Sequence, residues 1–166
     1  NGLKLRRRTR RPRTTDSTHG LPVYPDMVRD FIPTGPNQLW VSDITYITIL
    51  NESETSYSHC YLSMILNSYS KEIIGWKVGA SLETPNSISA LKMAMKRIRG
   101  RNGLRPIHHS DRGCQYASSE YVRLLKANGI RISMTETGDP KDNAQAERIN
   151  NTMKNELLFG RRFHSL

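Results

Sequence analysis

Residues 39–50 read LWVSDITYITIL. Val41, Ile44, Thr45, Ile47, Thr48 and Ile49 are β-branched and Trp40 and Tyr46 are aromatic, so the run predicts a central β-strand. One residue departs from the pattern. Asp43 sets a carboxylate in mid-strand, on the face that a period of two assigns to Val41, Thr45 and Ile47. A charge among such neighbours is costly unless it is paired or binds a cation.

The chain on either side of this strand decides the fold class. After a polar turn, residues 59–69 (HCYLSMILNSY) and 71–79 (KEIIGWKVG) read as two more strands joined near Ser70, which makes an antiparallel meander. The pattern then changes. Thr84 is expected to cap a helix with Pro85 in its first turn, and Ile88, Leu91, Met95 and Ile98 follow at helical spacing. Lys96, Arg97 and Arg99 suit its negative end and Gly100 its stop. RPIHHS is a short strand leading to Asp111. Ser118 or Ser119 starts a second helix through Tyr121, Leu124 and Leu125, stopped by Gly129, and IRISMT is a fifth strand. A polar loop and a final helix from about Asn143 to Leu158 complete the order βββαβαβα. That order predicts an α/β fold, a mixed five-stranded sheet with helices on both faces, in which the first and fourth strands can be neighbours.

Net charge is +10, and residues 1–13 supply seven of it through Lys4, Arg6, Arg7, Arg8, Arg10, Arg11 and Arg13, with no acid among them. Residues 14–166 therefore carry only +3. With Pro12, Pro22, Pro25, Pro33 and Pro36 along it, residues 1–36 read as a basic, extended arm or linker, and order is expected to begin near Leu39. Residues 37–166 form the second region, a single core. An arm of this kind points to a polyanion, most simply nucleic acid; a solvated linker or localisation tract is the alternative. No apolar run approaches the roughly 20 residues of a membrane span and no signal peptide is visible, so a soluble, cytoplasmic protein with no membrane partner is expected. The chain begins with Asn1, so a piece of a longer protein is expected.

Cys60 and Cys114 form no CxxC pair, and the five histidines complete no zinc spacing with them. His108 and His109 read as strand residues, with a supporting role behind Asp111 as the alternative. Trp40 and Trp76 read as core or sheet-face residues, with a base-stacking platform as the sharper alternative.

Two more carboxylates stand in informative places. Asp111 ends the fourth strand, and Gly113 follows where a chain can turn closely past a ligand. Thirty-five residues lie between Asp111 and Glu147. Glu147 falls on the last helix, whose apolar face is Ala146, Ile149, Met153 and Leu157; Asn143, Glu147, Asn150 and Lys154 form an adjoining polar stripe. Three carboxylates without a histidine ligand favour Mg²⁺ or Mn²⁺ over zinc. Two such ions about 4 Å apart suit in-line displacement at phosphorus, with no side-chain nucleophile needed.

The blocks NQLWVSDITYI (37–47), HHSDRGCQY (108–116) and DNAQAERINNTMKNEL (142–157) resemble the three motif blocks of the integrase catalytic core in bacterial insertion-sequence transposases. That group is similar to retroviral integrases and has a ribonuclease-H-like fold. The resemblance implies that Asp43, Asp111 and Glu147 are the catalytic, metal-binding triad and that Asn150 and Lys154 face the DNA end. It implies metal-dependent cleavage at element ends followed by transfer of the 3′ hydroxyl into DNA, in a dimer or larger homo-oligomer. It implies too that the arm follows a helix-turn-helix in a longer chain, and that the core continues beyond the nineteen residues after Glu147. A ribonuclease-H-like nuclease that only hydrolyses, and a domesticated DNA-binding regulator, are the competing readings.

Overall fold

The computed structural model describes residues 19–50, 56–100, 103–136 and Arg148. The elements run β1 (Leu39–Leu50), β2 (Tyr57–Asn67), β3 (Ile73–Gly79), α1 (Thr84–Met95), β4 (Ile107–Ser110), α2 (Cys114–Ala117), α3 (Ser119–Ala127) and β5 (Arg131–Met134). They form one five-stranded sheet in the order β3-β2-β1-β4-β5. β1, β2 and β3 pair antiparallel, while β4 pairs parallel with β1 and β5 parallel with β4. The expected meander and mixed sheet are both present.

The sheet has two distinct faces. Trp40, Ile44, Ile65 and Ile74 pack with Ile88, Leu91 and Ala94 of α1 and with Tyr121 and Leu125 of α3, forming the main core. Burying each large apolar side chain there contributes roughly 1.5–3 kcal/mol. Helix α1 comes unusually close: a Cβ at Gly75 of β3 would lie 2.2 Å from the Ala90 carbonyl oxygen. The other face carries Leu39, Val41 and Ile107, with Val28 and Phe31 packed on them. Among the described residues all three helices share the first face; the helix expected near residues 143–158 lies outside them, apart from Arg148, which is helical and exposed.

Several local expectations need correction. Order does not wait for Leu39, because residues 19–38 already lie against the sheet. Met27 N–H donates to Ser133 Oγ (2.8 Å), Met134 N–H to the Pro25 carbonyl (3.4 Å), and Arg29 pairs with Glu136. The prolines predict an extended linker; the stretch is instead a strap that packs Val28 and Phe31, partly buried, on the sheet. Thr84 is the first residue of α1 rather than its cap; Glu83 holds the cap position with no side-chain bond. The helix ends at Met95, and Gly100, at φ +78°, ends the turns beyond it. Ser118 does cap α3, accepting from Tyr121 N–H. The four-residue α2 was not anticipated. Trp40 is fully buried, whereas Trp76 on the edge strand is half exposed.

Candidate active site

The parallel junction of β1 and β4 positions the site. Its register is Leu39 with Ile107, Trp40 with His108 and Val41 with His109. Asp111 follows directly on the end of β4, and it and Asp43 of β1 both lie close enough to Tyr116 for their charges to act on it. Alternation turns Trp40, Ser42 and His108 into the helical core. It turns Val41 and His109, and with them Asp43, to the opposite face.

Backbone groups hold each carboxylate. Asp43 Oδ1 accepts from Ile44 N–H at 2.8 Å, and Asp111 Oδ1 accepts from Gly113 N–H at 3.0 Å. Both aspartates are half-buried. Gly113 also leaves the room they need, since a Cβ there would lie 3.0 Å from Asp111 Oδ1 and 3.0 Å from Gln115 Oε1. Gln115 is fixed from its other end, Nε2 donating to the Leu82 carbonyl at 2.9 Å. Arg112 turns away from the pair, its guanidinium donating to the carbonyls of Thr135 and Glu136 while His19 Nε2 donates to its own carbonyl.

Tyr116 lies behind the pair and its buried hydroxyl has no hydrogen-bond partner among the described residues. Burial first, then the charge of Asp111, then Tyr121 and Asp43, raise its pKa well above the usual phenol value. One phenol thus feels both carboxylates. Deeper in, Ser42 Oγ lies 2.6 Å and the Tyr121 hydroxyl 2.9 Å from His108 Nε2. Burial, with a smaller contribution from His109, depresses the His108 pKa to about 3, so the ring is neutral at ordinary pH. His109 Nδ1 lies 2.9 Å from Ser133 Oγ, the oxygen that also receives Met27 N–H. The histidines therefore tie β4 to β1, to α3 and to the strap. Sequence reasoning passed over Gln115 and Tyr116, although both sit inside the HHSDRGCQY block, five residues or fewer past Asp111.

Glu147, Asn150 and Lys154, and the arm residues Lys4 to Arg13, lie outside the described residues. Among the described residues no group of three or more His, Cys, Asp or Glu side chains converges. No helix among them is long and apolar enough to cross a membrane.

This geometry can be set beside known proteins. Residues 33–140 match the integrase core domain, and residues 128–166 match a second model of the same description. The chain belongs to the integrase core family. It is 38% identical over 166 residues to the insertion element IS600 uncharacterized 31 kDa protein of Shigella sonnei, covering 98% of this chain and 58% of that one. It is 35% identical over 151 residues to the transposase for insertion sequence element IS629 of Shigella sonnei, covering 91% and 48%. This integrase core thus spans about half the length of the curated relatives it matches. Among solved structures it resembles a chain of the simian T-cell lymphotropic virus intasome in complex with PP2A regulatory subunit B56 gamma (TM-score 0.64, 21% identity, 88% of this chain and 47% of that one). It also resembles the HTLV-2 integrase catalytic core domain in complex with magnesium, in a dimeric form (TM-score 0.55, 19% identity, 74% and 71%). At these identities the likeness is one of fold, the ribonuclease-H-like sheet of integrase and transposase catalytic domains.

Proposed function

We propose that the chain is the catalytic core of a DNA transposase, which cuts at the ends of its element and joins the exposed 3′ hydroxyls to target DNA. The observation that carries this reading is the pair of carboxylates, Asp43 and Asp111, that both act on Tyr116 beside the β1–β4 junction of an integrase core. Asp43, Asp111 and Glu147 are its catalytic, metal-holding residues. An all-oxygen donor set with each aspartate oriented by a backbone N–H fits a hard divalent cation, Mg²⁺ or Mn²⁺, and two ions in the active complex. When bound, such ions supply Lewis acidity toward the phosphate oxygens and lower the pKa of water.

The chain's own residues do the remaining work. The Ile44 and Gly113 amides hold the carboxylates in one orientation before DNA arrives, which limits reorganisation during the reaction. Asn150 and Lys154 contact phosphates beside the reacting one. Lys4, Arg6, Arg7, Arg8, Arg10, Arg11 and Arg13, in the stretch that precedes the strap of residues 19–38, bind the DNA backbone without reading sequence. The full protein acts in the bacterial cytoplasm, at the nucleoid, as a homodimer or larger assembly, since two element ends must be joined together.

The test uses the full-length protein with a labelled element end, target DNA and Mn²⁺. Joined products are the expected result. Nicks without joining would identify a hydrolytic nuclease, and binding without either product a regulator; both outcomes overturn the proposal. Lys154→Ala should lower end cleavage by roughly tenfold or more, the loss of one charge-assisted phosphate contact.

A further inference from the structure

The sheet's topology sorts charge to one end of the molecule. β1, β3, β4 and β5 all run in one direction, so the β2–β3 turn, the α1–β4 connection and the α3–β5 connection gather at the same end. Hydrogen bonds tie these segments together: Ser68 N–H to the Leu39 carbonyl, Ile107 N–H to Gln38, and Arg131 N–H to Pro106. The Arg97–Glu72 ion pair, at 2.6 Å, joins the end of α1 to the β2–β3 turn. Asp111 lies at the other end of β4, four residues beyond Ile107, about 13 Å along a strand.

Seven basic side chains belong to this end, Lys71, Lys96, Arg97, Arg99, Arg105, Lys126 and Arg131, and all are exposed. Residues 31–38, 68–72, 96–100, 103–106 and 126–131 hold one acid between them, Glu72, which Arg97 already occupies. The end is thus net +6 although residues 14–166 as a whole are only +3, so the remainder of that span is net negative. A merely solvated surface would mix its signs. Among the described residues no ion pair engages Lys96, Arg99, Arg105 or Arg131. Lys96 and Arg97 lie on hydrogen-bonded turns that continue α1, and the Arg131 N–H donates to the Pro106 carbonyl.

We infer that this end of the sheet is a second grip for DNA, binding the phosphate backbone of a duplex at a distance from Asp43 and Asp111. The inference rests on the DNA reading given above. Duplex DNA presents a charge about every 1.7 Å of its axis, so a row of cations spread over three turns meets several phosphates at once. A site some 13 Å from Asp111 cannot hold the reacting phosphate. It grips duplex flanking the reacting phosphate, independent of base sequence.

The test is duplex affinity against salt concentration for the chain and for the combined variant Lys96→Gln, Arg99→Gln, Arg105→Gln, using a labelled duplex of arbitrary sequence. The slope of log K against log salt should become shallower by about 2.7, and affinity at low salt should fall at least about tenfold. The melting temperature should stay put, because none of the three side chains is buried or paired. If the unsubstituted chain binds no duplex, the DNA reading itself fails and this inference with it. If it binds duplex and the variant keeps both affinity and slope, the inference alone is overturned and the charged end is solvated surface. Should the variant melt early, Lys126→Gln with Arg131→Gln decides the matter in its place, with an expected slope change of about 1.8.

Discussion

Ser42 Oγ stands 2.6 Å from His108 Nε2 across the parallel junction of β1 and β4, one residue before Asp43 on the first strand and three before Asp111 on the second. The Tyr121 hydroxyl reaches the same nitrogen at 2.9 Å, so a neutral imidazole joins two strands and a helix beneath the site. Its folded pKa, about 3, lies below the ordinary value of 6.5. A depressed histidine pKa means that the unfolded chain binds the proton more readily. Stability from this group is therefore full above about pH 6.5 and is lost as pH falls toward 3, by roughly 3 kcal/mol at pH 4. Denaturant midpoints between pH 7 and pH 4 should fall more steeply for the native chain than for His108→Gln. Parallel profiles would show that the histidine does not titrate differently on folding.

Gly75 tests the packing of α1 on the sheet. A methyl group there meets the Ala90 carbonyl at 2.2 Å and the Ala94 nitrogen at 3.0 Å, both backbone atoms that cannot swing aside. Gly75→Ala should cost at least about 1–3 kcal/mol, in the overpacking range, although alanine ordinarily favours regular structure over glycine. A thermal melt decides it; an unchanged or higher midpoint would mean that α1 slides outward freely.

The sequence made some of this architecture legible and hid the rest for definable reasons. Asp43 stood out because a lone carboxylate in a β-branched run has no cheap explanation. The helices α1 and α3 announced themselves through apolar spacing and through Pro85, Ser118 and Gly129. The β1–β4 register was less accessible, since it depends on two strands separated by more than fifty residues finding each other. Helix α2 is too short at four residues to show a period. Residues 19–38 were misjudged because prolines exclude a helix but not an extended strap, and the partners that hold it, Ser133 and Glu136, come more than a hundred residues later. Gly113 was legible as a close approach, but its backbone, at φ −63°, is open to any residue. Space, not conformation, is what requires glycine there.

Asp43 and Asp111 should behave as functional rather than stabilising residues. Side by side without a cation they repel, while each Oδ1 accepts one backbone N–H. Asparagine keeps an oxygen acceptor and removes the charge. Asp43→Asn and Asp111→Asn should therefore leave the melting temperature in EDTA unchanged or raise it, by up to about 1 kcal/mol of relieved repulsion. Both should abolish cleavage in the full-length protein. Alanine loses the acceptor as well, so Asp111→Ala should melt below Asp111→Asn. Clear destabilisation by the asparagine variants in EDTA would contradict a pair poised for metal.

Gly113→Ala separates the shape of the site from its charge. Every carboxylate remains, and the backbone angle at residue 113 suits alanine. The added methyl would nonetheless sit 3.0 Å from Asp111 Oδ1 and from Gln115 Oε1, and 3.6 Å from the Tyr116 ring. Gln115 cannot easily retreat, because its amide nitrogen is bonded to Leu82. Asp111 is the group that yields, rotating away from the Gly113 amide and out of line with Asp43. A displacement of this kind near reacting groups costs on the order of 100-fold in rate, whereas a side chain shifting at a half-exposed turn costs roughly 1 kcal/mol of stability. Cleavage by the full-length variant should fall by that factor, with a melting temperature lowered by only a few degrees. Isothermal titration with Mn²⁺ should show weaker binding as well. Native rates and native Mn²⁺ affinity in Gly113→Ala would mean that Asp111 has room to spare and that the turn does not fix its geometry.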